Sequence, residues 1–536
     1  MARDVPINIA GASWPALLVV WLVVLVIALV WRPLVPVDET RYATVAWEMW
    51  ARGDFLVPHL NGEPYSHKPP LYFWLIHAGW WLFGVKEWVI RAIAPLITLA
   101  SLATAAHLAR QLWPQEAAVA RLVPWVLFSA VPLMAFYTWV QFDMLLVLAT
   151  LLAMVGIVRA ANGRHSGWLL AGGAIGMGVL AKGPVILLHV LPAALLAPLW
   201  KREVSGRFWV GWYAGLAASV LTGALRALAW ALPAAEAGGE AYREAILWGQ
   251  TADRVVASFA HAHPVWWYLP WLALLLAPWC YLPWVWGRLL RLQPAQDTGV
   301  RFCLVWLLGV FVLMSLISGK QVKYLLPLLP AFSLLVARVL AAAEQRPVAQ
   351  RPWLVGLVLV VAGTAVMLLP GLREEPEWMT AIHPAWGGVL VVVALVVMAM
   401  KPLRPAGYPV LMTLVVAIAA GVVPLGMFRA AAPAYDMHAV GRIIHEAQAG
   451  GRKVAMPGKY HGQFGFEGRL TVPIVLLGKD QSVKWAENHR KDYLVVFSNE
   501  PFVADSGAVY TQLYRGDYLA VFTGEAILSN RRDLLL

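Results

Sequence analysis

Charged residues are scarce in this chain. Lys, Arg, Asp and Glu make up 13% of its 536 residues, whereas 60% are hydrophobic, and the mean hydropathy is +0.65. A soluble globular protein carries about 25% charged residues, so the composition excludes that class. The sequence therefore predicts a polytopic α-helical membrane protein.

Cysteine is also scarce, no basic run occurs, and no cleavable leader is predicted. Cys280 and Cys303 are the only cysteines and both lie in apolar segments, so no disulfide framework is predicted. The net charge of +12 does not indicate nucleic-acid binding, because no basic run or basic helix face accompanies it. The start of the chain lacks a charged region and a small-residue cleavage site, so residues 15–33 predict a retained first span.

Long apolar runs predict about thirteen membrane spans, because a span needs about 20 apolar residues. The predicted spans are 15–33, 88–109, 120–138, 144–158, 167–181, 184–200, 208–232, 266–287, 302–318, 324–341, 353–370, 385–400 and 408–427. The apolar segment 71–83 would rise only ~20 Å as a helix, short of the ~30 Å hydrocarbon core. We interpret it, together with 40–52, as a helix lying in the membrane interface.

The basic residues support this count. With the N-terminus inside, the Lys and Arg clusters of the even-numbered loops all fall on the cytoplasmic side, as the positive-inside rule requires. Loops 34–87 and 233–265 and the C-terminal tail then lie outside. Residues 1–427 are predicted to form the transmembrane unit. Residues 428–536 mix a helical pattern with short β segments, which predicts a small soluble extracytoplasmic α/β domain.

Several basic residues break the positive-inside rule on the predicted outer face. They are Arg41, Lys68, Lys182, Arg254, Lys320 and Lys323. Snorkelling of a long side chain to the interface would explain any single one of them. Several together beside span ends favour a shared anion site, and phosphate is a natural anion for lysine.

The first outer loop resembles a known family. Its segments DETRYATVAWEM, GDFLVPHLNGEPYSHKPPLYFWL and LFGVKEWVIRAIAPL are similar to the first extracytoplasmic loop of GT-C membrane glycosyltransferases, in the branch of aminoarabinose (4-amino-4-deoxy-L-arabinose) lipid A transferases related to protein O-mannosyltransferases. Weaker matches follow in the family's order: QFDML around Asp143, LAKGP around Lys182, HPVWWYLPWLALLLAPW from His263, and SGKQVKYLLPLLPA with Lys320 and Tyr324. Together they cover most of residues 15–340.

The resemblance implies a GT-C fold and an inverting glycosyltransferase in the bacterial inner membrane. It implies a polyprenyl-phosphate donor, usually undecaprenyl phosphate, with the active site on the periplasmic face and lipid A as the expected acceptor. Another glycolipid or a protein acceptor stays open, as does a lipid-linked sugar flippase or transporter. A secondary transporter would need charged residues at mid-membrane, whereas the apolar spans here are nearly free of acids.

The chemistry of transfer selects the candidate site residues. Breaking the bond between an anomeric carbon and a phosphate builds positive charge on the sugar and negative charge on the leaving group. The candidate catalytic carboxylates are Asp38, Glu39 and Asp143, with Asp38 as general base for a hydroxyl acceptor. As an alternative, Asp38 and Asp143 cap helices. The candidate donor-phosphate ligands are Lys68, Lys182, Lys320, Lys323 and Tyr324. The candidate substrate contacts are Arg41, Tyr42 and Arg254.

Three histidines lie in the predicted outer loops. Imidazole is a common ligand of divalent metals, so we hypothesise that His67, His261 and His263 hold zinc or manganese. The alternative is that these loop histidines bind no metal. The lysines would then be the only phosphate partners.

Overall fold

A computed structural model gives the architecture of the chain. It describes residues 12–202, 204, 206–249, 262–343, 350–372, 376–400, 403–478, 481–502 and 507–530. Most of these residues are helical. The α-helices are Trp14–Trp31, Asp38–Arg52, Leu71–Phe83, Glu87–Leu112, Ala117–Phe128, Val131–Phe136, Asp143–Ala161, Ser166–Lys182, Ile186–Leu195, Ala197–Trp200, Gly206–Ala237, Glu240–Glu244, Tyr268–Leu275, Pro283–Leu289, Thr298–Leu316, Leu329–Ala342, Trp353–Leu372, Ala385–Ala399, Gly407–Val422, Arg429–Tyr435, His438–Ala449, Ser482–Asn488 and Gly524–Asn530.

The polytopic helical membrane fold is confirmed. Within the described ranges, eight helices are long and apolar enough to cross a membrane by length and composition, and each predicted span coincides with helical structure. The prediction of one continuous helix over 266–287 is wrong. The helix is interrupted twice, once before the short segment Trp279–Tyr281 and once before Pro283–Leu289. Pro278 and Pro283 stand at those breaks, and proline cannot donate the backbone hydrogen bond that continues a helix.

Two loops and one helix end that are distant in sequence meet at one end of the helical bundle. Arg338 donates to Glu116 at 2.5 Å and to Asp297 at 3.0 Å, and the indole of Trp113 also donates to Asp297 at 3.0 Å. Trp113 and Glu116 follow the second predicted span and Asp297 follows the eighth, whereas Arg338 lies near the end of the tenth. Loops of one parity therefore share one end of the bundle, as the predicted topology requires.

The first outer loop contains both expected helices. The helix Asp38–Arg52, which we call the loop helix, ends at Gly53, whose positive φ of 68° terminates it in a left-handed conformation. Leu71–Phe83 leaves Trp81, Leu82 and Phe83 exposed, which is the apolar surface that an interfacial helix presents to lipid. The loop helix is more enclosed than expected, because protein buries both sides of its first three turns.

The C-terminal α/β domain is also confirmed. Its five-stranded sheet has the order Val475–Leu477, Val454–Pro457, Tyr493–Ser498, Asp517–Thr523 and Tyr510–Tyr514. The first three strands are parallel to one another, and Asp517–Thr523 is antiparallel to both of its neighbours. The helix His438–Ala449 buries Val440 and Ile444 in one core with Val495 and Val521 of the sheet. A separate two-stranded hairpin, His59–Leu60 with Glu63–Pro64, lies in the first outer loop. The domain boundary at 428 stays a prediction.

Candidate functional site

Asp38 and Glu39 begin the loop helix but lie in different environments. The residue before the helix is Val37, and no side-chain capping bond occurs there, so helix capping does not account for Asp38. The half-exposed Asp38 carboxylate forms an ion pair with Arg41 one turn later. Asp38 is therefore accessible to a substrate and already paired with a cation.

Glu39 is fully buried and holds three chain segments together. Its carboxylate pairs with Arg32 and accepts hydrogen bonds from the backbone N–H groups of Val35 at 2.9 Å and Val140 at 2.7 Å. Arg32 also donates to the carbonyl of Thr138 at 2.7 Å. This geometry makes Glu39 a positioning residue. Its proposed catalytic role stays a prediction. Arg32 was not among the residues predicted from the sequence, where only its place at the end of the first span could have indicated it.

Asp143 and Lys182 form a buried ion pair. Asp143 is the first residue of Asp143–Ala161, and its side chain does not cap that helix. Lys182 is the last residue of Ser166–Lys182, where Gly183 at φ 80° ends the helix. The Lys182 ammonium lies 2.5 Å from the Asp143 carboxylate and 4.5 Å from the ring centre of Tyr324. Two span ends are thus fixed together at one point.

Two further lysines lie within electrostatic range of the same carboxylate. Lys68 and Lys323, like Lys182, lie close enough to interact electrostatically with Asp143. The Lys68 ammonium lies 5.7 Å from the ring centre of Phe142. We call Lys68, Lys182 and Lys323 the lysine group. Three cations around one carboxylate leave a positive excess, which favours an anion.

Aromatic rings pack around Phe142 and form the floor of this region. The ring of Phe142 lies 5.0 Å from Tyr42, 4.9 Å from Tyr72 and 5.5 Å from Phe73. The pairs with Tyr42 and Phe73 are edge-to-face and the pair with Tyr72 is tilted, and such pairs add specific geometry to the burial of the rings. Lys68 of the lysine group therefore lies against a packed aromatic cluster.

Tyr42 lies between the exposed and the buried carboxylates. Burial raises the pKa of Tyr42 well above its ordinary value, and the nearby Asp38, Tyr65 and Asp143 raise it further. Its phenol therefore keeps its proton and can donate a hydrogen bond. The buried Tyr65 was missed by sequence reasoning, although it stands in the same PYSHKPP segment as Lys68.

Lys320 has other partners. It is only 1% exposed, and its ammonium donates to the carbonyls of His263, at 2.9 Å, and Ile317. Burial lowers the pKa of Lys320. Its contacts join the segment at His263 to the end of Thr298–Leu316, which is a structural role. Its phosphate-binding role stays a prediction.

The three histidines give no metal cluster in the part of the chain that the structure describes. No three His, Cys, Asp or Glu residues come together there. The ring of His263 stacks on Trp267 at 4.4 Å, and the ring of His67 lies 5.1 Å from Tyr65. His261 and Arg254 lie outside the described residues. The zinc or manganese hypothesis therefore stays untested.

The fold places the chain in a class. Two crystal structures of ArnT from Cupriavidus metallidurans are similar to it. The structure bound to undecaprenyl phosphate matches with a TM-score of 0.73 and 20% identity, and the match covers 95% of this chain and 96% of that one. The other, in the apo state, has a TM-score of 0.74 and 18% identity, with coverage of 95% and 98%. This protein has the fold of a GT-C membrane glycosyltransferase.

Sequence comparison identifies the family. Residues 67–230, which include Lys68, Asp143 and Lys182, match the family of dolichyl-phosphate-mannose-protein mannosyltransferases. The undecaprenyl phosphate-alpha-4-amino-4-deoxy-L-arabinose arabinosyl transferase of Edwardsiella ictaluri is 30% identical over 386 residues, covering 70% of this chain and 68% of that protein. A Pseudomonas fluorescens transferase of the same name, numbered 1, is 29% identical, with coverage of 72% and 71%. The chain belongs to this family of arabinosyl transferases and is a glycosyltransferase.

Proposed function

We propose that this protein transfers 4-amino-4-deoxy-L-arabinose from undecaprenyl phosphate to lipid A on the periplasmic face of the bacterial inner membrane. The names of its relatives support this donor. The observation that carries the proposal is the lysine group near Asp143, because a departing lipid phosphate needs cations. The loop helix that begins at the accessible Asp38 also carries Tyr42, whose ring lies 5.0 Å from that of Phe142, the residue before Asp143. Lipid A as acceptor rests on the family.

The reaction assigns a task to each part of the site. An acceptor oxygen attacks the anomeric carbon from the face opposite the phosphate, and the bond from that carbon to the phosphate oxygen breaks. The phosphate leaves with the electron pair, and the lysine group stabilises its growing charge. Inversion at the anomeric carbon follows from this single displacement.

Asp38 has a task that depends on the acceptor. A hydroxyl acceptor must lose a proton, and the half-exposed Asp38 carboxylate is placed to take it. A phosphate acceptor is already ionised and needs orientation more than a base. Arg41, which pairs with Asp38, is then free to exchange its carboxylate partner for the acceptor phosphate.

The proposed orientation puts the site outside the cytoplasm. The loops that meet at Arg338 carry the basic clusters, so the positive-inside rule assigns that end to the cytoplasm. Asp38, Asp143 and the C-terminal domain then face the periplasm. A C-terminal alkaline phosphatase fusion should be active and a C-terminal green fluorescent protein fusion dark. The reverse pattern would overturn this orientation.

Transfer by purified protein tests the function. The full chain in detergent is incubated with undecaprenyl-phosphate-linked aminoarabinose and lipid A, and the product is detected by mass spectrometry. We expect a lipid A species heavier by one aminoarabinose residue, and less of it with the Lys68→Ala variant. Movement of the donor across vesicles without any covalent product would indicate a flippase and overturn the proposal.

A protein acceptor is the second candidate, because residues 67–230 match the protein mannosyltransferase family. A parallel reaction with polyprenyl-phosphate mannose and a Ser/Thr-rich peptide tests it. Glycosylated peptide without modified lipid A would replace the proposed acceptor.

A further inference from the structure

A loop of the C-terminal domain docks against the loop helix. We call residues 458–470 the docking loop. The hydroxyl of the buried Thr44 donates to the carbonyl of Gly462 at 2.9 Å and accepts from the backbone N–H of Phe466 at 3.0 Å. The indole of Trp47, one turn further, donates to the carbonyl of Leu470 at 2.8 Å. Two turns of the loop helix are thus fixed to the C-terminal domain.

Gly462 brings the docking loop against the backbone of Arg41. Its φ is +75°, a left-handed conformation that side chains rarely adopt. A Cβ atom there would lie 3.0 Å from Leu60, 3.1 Å from the Cα of Arg41 and 3.2 Å from the Cβ of Thr44. Glycine is therefore needed on two grounds. The close approach fixes the residues next to Gly462 beside Arg41.

His461 lies within electrostatic reach of both Lys459 and Arg41. Lys459 is exposed and His461 is half-buried. The backbone N–H of His461 donates to the side chain of Gln463 at 2.8 Å, which holds the turn. Burial lowers the pKa of His461, and Arg41 and Lys459 lower it further, so its ring is neutral at pH 7. The docking loop thus brings His461 near Arg41, which pairs with Asp38, and Lys459 also lies near the imidazole.

This second basic group is separate from the lysine group. Lys68, Lys182 and Lys323 interact electrostatically with Asp143, whereas Lys459 and His461 belong to the docking loop, which approaches Arg41, the partner of Asp38. The donor carries one phosphate, and the lysine group already matches it. A second basic group at the docking loop fits a second anion.

We propose that Lys459 and His461, together with Arg41, bind a phosphate monoester of the acceptor and position its oxygen beside Asp38. A compact lysine ammonium and the Arg41 guanidinium both suit phosphate, and a neutral imidazole adds a hydrogen bond. The C-terminal domain then selects the acceptor, while the membrane helices bind the donor. This inference rests on the proposed function, because it names the acceptor group that the same site recognises.

Direct binding tests the inference without requiring transfer. The full chain in detergent is titrated with lipid A carrying its phosphates and with enzymatically dephosphorylated lipid A. We expect Lys459→Ala and His461→Ala each to weaken binding of the phosphorylated lipid by about tenfold, the loss expected for one hydrogen bond to a charged group. Lys459→Arg should retain most of the affinity. Binding of the dephosphorylated lipid should be equal in all variants.

Lys484→Ala is the matched control. It removes the same charge from an exposed position on Ser482–Asn488, in the same domain but outside the docking loop. Its affinity for lipid A should equal that of wild type. Equal losses in Lys459→Ala and Lys484→Ala would overturn the inference, as would unchanged affinity in both docking-loop variants.

The transfer assay separates this inference from the proposed function. Where wild type transfers the sugar, the docking-loop variants should raise the KM for lipid A by about tenfold and leave the KM for the donor unchanged. A raised donor KM would overturn the inference, because Lys459 would then serve the donor. Absence of transfer by wild type contradicts the proposed function, whereas the binding titration still decides the role of the docking loop.

Discussion

Two ion pairs of the site differ in their exposure to solvent. The side chains of Asp143 and Lys182 are 5% and 11% exposed, whereas those of Asp38 and Arg41 are 46% and 20% exposed. The buried pair joins the ends of two membrane helices, and the outer pair lies within one turn of the loop helix. We therefore expect the two Asp–cation pairs to act differently: the buried pair fixes the helices, and the exposed pair faces the substrate.

Burial explains this difference physically. A charge in a low-dielectric interior needs its partner, because an unpaired buried charge costs several kcal/mol. An exposed pair is screened by water and contributes roughly 0–1 kcal/mol. Arg41 can therefore release Asp38 when a substrate arrives, whereas Lys182 cannot release Asp143 without another charge to replace it. The following variants test this comparison, from the largest expected effect to the smallest.

Breaking the buried pair should have the largest effect. Lys182→Ala leaves the Asp143 carboxylate without its nearest cation, so we expect the free energy of unfolding to fall by about 3–5 kcal/mol and transfer to stop. Thermal unfolding in detergent and the transfer rate measure the two effects.

A double variant separates stability from function at this pair. Asp143→Leu combined with Lys182→Met removes both charges at similar volume, and such replacements are often neutral for stability. We expect the double variant to regain most of the unfolding temperature but no transfer. A Lys182→Ala protein as stable as wild type would contradict the importance of the buried pair.

Asp38→Asn should reduce turnover with little loss of stability. It removes an accessible charge directed at the reacting groups, and loss of one such electrostatic contact costs on the order of 10²–10³ in rate. Glu39→Gln makes the same chemical change one residue later and leaves Arg32 buried without a charged partner. It should lower the unfolding temperature. Near-wild-type turnover in Asp38→Asn would exclude a catalytic task for that residue.

Lys68 tests the lysine group. Lys68→Ala should weaken donor binding and lower single-turnover transfer, because a ligand of the departing phosphate interacts more strongly in the transition state. Lys68→Arg should restore only part of the rate, since a planar guanidinium does not reproduce a compact ammonium. Complete rescue by arginine would instead indicate a lysine that only snorkels to the interface.

Lys320 should give the smallest effect on transfer. Lys320→Ala removes the donor of hydrogen bonds to the carbonyls of His263 and Ile317, and an unsatisfied buried polar group costs about 1–3 kcal/mol. We expect a lower unfolding temperature and an unchanged KM for the donor. A raised donor KM with unchanged stability would place Lys320 among the phosphate ligands after all.

Much of the fold could be predicted because membranes impose a simple rule. A span must be apolar for about 20 residues, so composition and length were sufficient to locate thirteen helical segments and the polar C-terminal domain. The breaks at Pro278 and Pro283 were readable in principle, since proline cannot continue a helix. Asp38, Lys68, Asp143 and Lys182 could be selected as candidates because charged residues beside apolar spans are costly and rarely lack a purpose.

The sequence by itself determined the membrane class, the helical spans and the set of charged residues at the outer loops, because local hydrophobicity decides each of these. The tertiary structure alone decided what each charge contacts. It buried Glu39 against Arg32 while leaving Asp38 accessible, directed Lys320 to backbone carbonyls, and brought the docking loop to Arg41 across about 420 residues of chain. Burial and partner choice arise from packing between segments distant in sequence, and no local pattern carries that information.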